Sequence, residues 1–158
     1  MIAVVACGNP NRCDDGAGLA VLERLKGRGL DRVPDVRLLD AGTDGMATMF
    51  AARGCRTLIV IDACRSGSAP GAIFEVPGTE LKQSYAPNLN LHDFRWDHAL
   101  HAGKAIFREQ FPDDVLVYLI EAQSVDLGIG LSAVVSDAVI KVADRIQMRL
   151  ESISAKPS

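Results

Sequence analysis

The sequence predicts a three-layer α/β/α domain built on a twisted, mostly parallel five-stranded sheet. Three observations predict it. Short apolar runs alternate with amphipathic stretches, the pattern of strand–helix–strand units. The runs at 2–7 and 57–63 are apolar almost throughout, as strands covered on both faces of a parallel sheet must be. The chain has 158 residues, which fits one domain. At that length roughly 70% of the unfolded surface is buried, so disulfide or metal staples are not needed.

The elements follow in order. Residues 2–7 form the first strand. A glycine-flanked loop leads to a helix over 16–26, where Leu19, Val21, Leu22 and Leu25 recur at helical spacing. Gly27 and Gly29 terminate it. Val36-Arg37-Leu38-Leu39-Asp40 reads as the second strand and 45–52 as a short helix. The third strand covers 57–63. Residues 72–76 alternate apolar and polar, as an exposed or edge strand does. The stretch 77–96 holds Pro77, Gly78 and Pro87 and reads as a long irregular loop, of a length that goes with function or mobility. A helix capped by Asp97 covers 97–110, and 115–121 is the fifth strand. The last helix covers 132–151, with Ser132 as N-cap and Val135, Val139, Val142 and Ile146 as its apolar stripe. Residues 152–158 are expected to form a disordered tail, leaving a single domain over 1–151.

Composition narrows the function. A net charge of −3 without a Lys/Arg-rich run excludes a general nucleic-acid binder. No stretch approaches the ~20 apolar residues of a membrane span, and the N-terminus lacks a basic leader, so a cytoplasmic protein is expected. Cys7, Cys13, Cys55 and Cys64 form no C-x-x-C pair. Cys7 and Cys55 read as small buried hydrophobes. Cys13 and Cys64 lie nearer the candidate site, where a nucleophilic thiol would need a base held against it.

Ligands of parallel α/β sheets bind beyond the carboxyl ends of the strands. Asp40, Asp62 and Glu121 fall at those ends, and the pair Asp14-Asp15 opens the first helix. One of that pair suits helix capping, with Asp14 as the cap and Asp15 free to face the cleft. Asp62 follows Leu58-Ile59-Val60-Ile61 directly; a carboxylate at the end of a buried strand must be paired, hydrogen-bonded or metal-bound. His92 lies in the long loop. His98 and His101 share a helix without the Glu of H-E-x-x-H, so surface or packing roles are expected. In Asp40-Ala41-Gly42-Thr43-Asp44-Gly45, Thr43 or Asp44 caps the next helix and Asp40 sits at the cleft rim. Nucleotide loops and the G-x-S-x-G elbow are absent. Two carboxylates and an imidazole at strand ends can converge on one borderline divalent ion, so metal-linked chemistry leads.

Several segments together resemble the hydrogenase maturation proteases. They are Gly8-Asn9 with Asp14-Asp15-Gly16-Ala17-Gly18, Asp40-Ala41-Gly42-Thr43, Ile61-Asp62-Ala63, Leu91-His92-Asp93 and Gly128-Ile129-Gly130-Leu131-Ser132. Their order and spacing cover residues 4–150. The resemblance implies an endopeptidase that removes the C-terminal extension of a nickel–iron hydrogenase large subunit after nickel loading. It implies Asp15, Asp62 and His92 as metal-binding and catalytic residues. Asp40 matches a position tied to substrate recognition or cleavage. The implied metal is nickel supplied by the substrate, with zinc or cadmium able to replace it in crystals. The implied partner is the large-subunit precursor, and the implied state is a monomer. One departure is Ile120-Glu121-Ala122-Gln123, where the family has Gly-x-x-Pro: a proline is missing and a carboxylate gained. The segment Arg95-Trp96-Asp97-His98 is unusually polar for a helix start and suits recognition of one particular subunit. Two rival readings are a non-catalytic escort of the nickel-loaded subunit and a small hydrolase using Cys13 or Cys64.

Overall fold

A computed structural model of the protein describes residues 1–80 and 96–155. In chain order the elements are β1 (Ile2–Cys7), α1 (Ala17–Gly27), β2 (Val36–Gly42), α2 (Gly45–Ala52), β3 (Thr57–Cys64), β4 (Ile73–Pro77), α3 (Trp96–Phe107), β5 (Asp114–Glu121) and α4 (Ala133–Ser154). The strands form one five-stranded sheet in the order β2-β1-β3-β5-β4. β2, β1, β3 and β5 run parallel, and β4 closes one edge antiparallel to β5.

Strand alternation divides the core into two halves. Ile2, Val4, Ala6, Ile59 and Ile61 pack with Leu22, Leu25, Val139 and Val142 of α1 and α4. Ala3, Val5, Cys7, Leu58 and Val60 pack with Ala51, Ala52, Trp96 and Leu100 of α2 and α3. The three layers expected from the sequence follow from this division. β1 is buried along its whole length, as its unbroken apolar run requires. β4 is only half covered and ends on Pro77, a residue whose missing N–H is tolerated at an edge.

Several boundaries differ from the sequence expectation. Pro77 belongs to β4 rather than to the following loop. α3 begins at Trp96, so Asp97 lies inside its first turn, where its Oδ1 accepts the His98 N–H at 2.9 Å. α4 continues to Ser154, so residues 152–154 are helical rather than part of a tail. A 3-10 turn, Cys13–Gly16, precedes α1 and carries both acids of the first loop.

The four parallel strands bring their carboxyl ends to the same end of the sheet, where α1 starts. Gly18 fixes that junction. A Cβ there would stand 2.6 Å from the Cys7 carbonyl oxygen and 2.7 Å from that of Ile61. Only glycine lets the helix start press on the ends of β1 and β3 together.

Candidate active site

Three carboxylates are buried at this end of the sheet: Asp14 is 1% exposed, Glu121 2% and Asp62 4%. Buried carboxylates need partners, and the three find them in different ways.

Asp14 accepts from the backbone N–H groups of Gln123 (2.9 Å), Ser124 (3.2 Å) and Ser132 (2.7 Å), and from the Ser132 hydroxyl (2.9 Å). Burial opposes its ionisation, but these donors outweigh it and hold its carboxyl below the ordinary value. Asp14 therefore ties the first loop to the start of α4. Ser132 does stand at the N-cap of α4, yet its hydroxyl serves Asp14 rather than the helix.

Glu121 accepts from the Cys64 thiol (3.1 Å), the Ser66 N–H (2.9 Å), the Ser66 hydroxyl (2.8 Å) and the Gly67 N–H (3.0 Å). Again burial opposes ionisation and the donors prevail, so its carboxyl titrates below the usual range. Glu121 is thus a latch for the turn after β3.

Asp62 is held by the Ala63 N–H on Oδ1 (2.8 Å) and by the indole Nε1–H of Trp96 on Oδ2 (2.7 Å). It lines a cleft of about 250 Å³. Around it stand Cys7 and Gly8 from the end of β1, Asp15 from the 3-10 turn, Gly42, Thr43, Asp44 and Gly45 between β2 and α2, Thr48 from α2, and Trp96. Asp15 accepts the Asn9 N–H on Oδ2 at 2.8 Å. Gly8 makes this loop possible: its φ is +115°, and a Cβ would lie 2.1 Å from the Asp15 carbonyl oxygen. Asp44 caps α2, accepting from Met46 N–H at 2.9 Å and Ala47 N–H at 3.3 Å.

A larger cavity, about 420 Å³, opens at the opposite end of the sheet, among Leu100, His101, Lys104, Phe111 and Val115. The smaller cleft has the better claim to chemistry, because it lies at the carboxyl ends of the strands, where Asp15, Asp44 and Asp62 line it together.

Over residues 19–148 the sequence matches the profile of the hydrogenase maturation proteases. The chain belongs to that family. Among its relatives is the hydrogenase expression/formation protein HoxM of Azotobacter vinelandii, 30% identical over 127 residues, which are 79% of this chain and 59% of the relative. HupM of Azotobacter chroococcum is 32% identical over 118 residues, 73% of this chain and 54% of the relative. The chain thus spans somewhat more than half the length of these two relatives. The hydrogenase maturating endopeptidase HybD of Escherichia coli has the same fold, with a TM-score of 0.76 at 21% identity, covering 96% of this chain and 93% of that one. The maturation protease HybD of Thermococcus kodakarensis gives 0.72 at 24%, covering 94% and 97%.

Of the residues that the hydrogenase maturation protease resemblance singles out, Asp15 and Asp62 share the cleft. Asp40 does not line it. Alternation along β2 turns Leu39 and Ala41 toward α2 and α3, and Asp40 toward the other face. There Asp40 is exposed and accepts the Gly42 N–H at 2.9 Å. His92 lies outside the described residues. Among the described residues, no group of three or more His, Cys, Asp or Glu side chains is arranged to hold a metal ion. His101 borders the far cavity, and His98 Nδ1 stands 4.0 Å from Asp97 Oδ1.

The sequence reading placed Trp96 only in a recognition segment, not at Asp62, and missed Thr48. Trp96 is the chain's one tryptophan and opens a helix four residues after His92 in sequence, a signal that could have drawn notice. Thr48 shows no local sign; it is buried by tertiary packing, 3.6 Å from the Cys7 sulfur. Among the described residues, no helix is long and apolar enough to cross a membrane.

Proposed function

We propose that this hydrogenase maturation protease is an endopeptidase that removes the C-terminal extension of a nickel-loaded nickel–iron hydrogenase large subunit. The observation that carries the reading is the opening of Asp15 and Asp62 onto one cleft at the carboxyl ends of the strands. Their oxygens suit a divalent cation, and the imidazole of His92 would complete an O, O, N set fitted to nickel. The nickel belongs to the substrate. Its chief role is to dock the loaded subunit, so that only a filled subunit is cut; it also polarises the scissile carbonyl. Asp40 acts at the substrate-recognition rim, outside the cleft. The reaction is set in the cytoplasm by a monomer.

One further feature supports a protein substrate. Leu127 and Ile129 are 82% and 89% exposed. They flank Gly128, which is fixed to the first loop by Cys13 N–H to Gly128 O (2.8 Å) and Gly128 N–H to Asn11 O (2.9 Å). An ordered apolar lip fixed to the loop that carries Asp15 suits protein contact.

The cysteine-hydrolase reading fares poorly at Cys64. Burial, then the hydrogen bond to Glu121, then the charges of Glu121 and Asp62, push its thiol up to about 12. A thiol so placed is not a ready nucleophile.

The test is a processing assay with a large-subunit precursor, nickel-loaded and nickel-free, followed by C-terminal mass loss. Cleavage of the loaded form alone is expected. Asp15→Ala and Asp62→Ala should each slow it by about 100-fold or more, the scale of losing a group that stabilises developing charge. Normal processing by both variants would sink the reading. Tight binding of the loaded form without cleavage would favour the escort.

A further inference from the structure

We propose that Trp96 is the positioning residue of Asp62: its indole N–H holds the carboxylate in the orientation that meets a divalent cation, and its fluorescence reports that meeting. The inference rests on the metal-recognition reading of the cleft given above. It goes beyond that reading by naming a residue outside the ligand set.

The geometry is specific. The two oxygens of Asp62 are taken by different donors from different elements, Ala63 N–H from β3 itself and Trp96 Nε1–H from α3. A planar carboxylate pinned at both oxygens cannot rotate about its Cβ–Cγ bond. A carboxylate oxygen carries two lone pairs, so a hydrogen bond to one of them does not by itself bar a cation from the group. The indole suits this task because it donates only. It cannot compete for the metal as a histidine would, and it has no protonation change in the working pH range.

The ring is itself held. Trp96 is buried in the core half that contains Val60 and Leu100. It also lines the cleft. Donor groups that orient a ligating carboxylate or imidazole typically contribute 10–100-fold in metal affinity.

The test uses the purified protein with zinc or nickel as the sole added metal, and no hydrogenase subunit. Zinc is closed-shell and does not quench an indole through unpaired electrons. The chain contains one tryptophan, so all indole emission comes from this site. Affinity is read by competition with a chromogenic chelator, emission in parallel, and folding by thermal melting. Two replacements remove the donor: Trp96→Phe, and biosynthetic incorporation of benzothienylalanine, which puts sulfur where the N–H stood and keeps the ring's shape.

Zinc should change the wild-type emission saturably, and Asp62→Asn should abolish that change. Both donor replacements should weaken zinc and nickel binding by 10-fold or more, with melting of the benzothienyl protein close to wild type. Wild-type binding that both replacements leave within twofold would overturn the positioning role and leave the metal reading standing. A wild type that binds neither metal, or binding indifferent to Asp62→Asn, would overturn the role of Trp96, whereas the metal reading itself stands or falls with the processing of the nickel-loaded precursor.

Discussion

Asp14 and Ser132 are joined by two hydrogen bonds across 118 residues of chain, from the Ser132 N–H to Oδ1 at 2.7 Å and from its hydroxyl to Oδ2 at 2.9 Å. The neighbouring Asp15 faces the cleft while Asp14 is wholly engaged inward. Adjacent acids in one turn thus part ways: one seats the last helix, the other lines the cleft.

Removing that seat should be costly. Asp14→Ala would strand the N–H groups of Gln123, Ser124 and Ser132, and a loss of about 3 kcal/mol is expected, from the usual cost of unsatisfied buried donors. Urea denaturation measures it. The pH dependence has a definite sign. The unfolded carboxyl titrates near 3.8 and the folded one lower, so in between the unfolded chain binds more protons. The contribution of Asp14 is complete above about pH 4 and lost as pH falls through the folded value. Wild type should show this acid-side loss in its urea midpoint, and Asp14→Asn should show less of it.

Gly18→Ala and Gly27→Ala should differ in sign. In a helix interior alanine normally gains about 1 kcal/mol over glycine. At Gly27 nothing stands within 4 Å of a new Cβ, so the change should be neutral or mildly stabilising. At Gly18 the new atom meets two backbone oxygens at 2.6 and 2.7 Å. Neither can move without parting the ends of β1 and β3, and a loss of about 2–4 kcal/mol is expected. Equal melting temperatures for the two variants would contradict this account.

Cys64 should be inert. With its thiol pushed up to about 12, iodoacetamide at pH 8 should leave it unmodified in the folded protein and label it after denaturation. Cys64→Ala should process precursor within a few-fold of wild type. Rapid folded-state labelling, with activity lost in step, would restore the thiol-hydrolase reading.

The Leu127→Ser, Ile129→Ser double variant tests the apolar lip. Both side chains are largely in solvent, so the melting temperature should hold. If precursor covers them, each contributes about 1.5 kcal/mol or more of binding, and KM should rise at least 10-fold with kcat little changed. An unchanged KM would remove this lip from the docking surface.

Much of the fold was legible because it rests on local pattern. The uninterrupted apolar runs gave β1 and β3, and helical spacing gave α1 and α4. The segment 45–52 is helical as expected, with Asp44 as its cap. The convergence of Asp15 and Asp62 followed from one rule about strand ends. Other features depend on tertiary contact and left no local trace. Glu121 looked ambiguous because its donors arrive from Cys64, Ser66 and Gly67, more than fifty residues earlier. Asp40 looked like a cleft residue because position along a strand was weighed without its parity; Leu39 and Ala41 were the clue that it points the other way. The hydroxyl of Ser132 carried a capping signature, but a buried carboxylate claimed it.

The sheet order also has meaning in time. β1 is made before β2 and β3 yet ends between them, and the turn that follows it finds its partners, Gln123, Ser124 and Ser132, only after β5 and the start of α4 have been made. Parallel pairings of this kind close late because their loops are long. The acids of the first loop are therefore made long before the contacts that seat that loop, and the cleft takes its shape only when the start of α4 arrives.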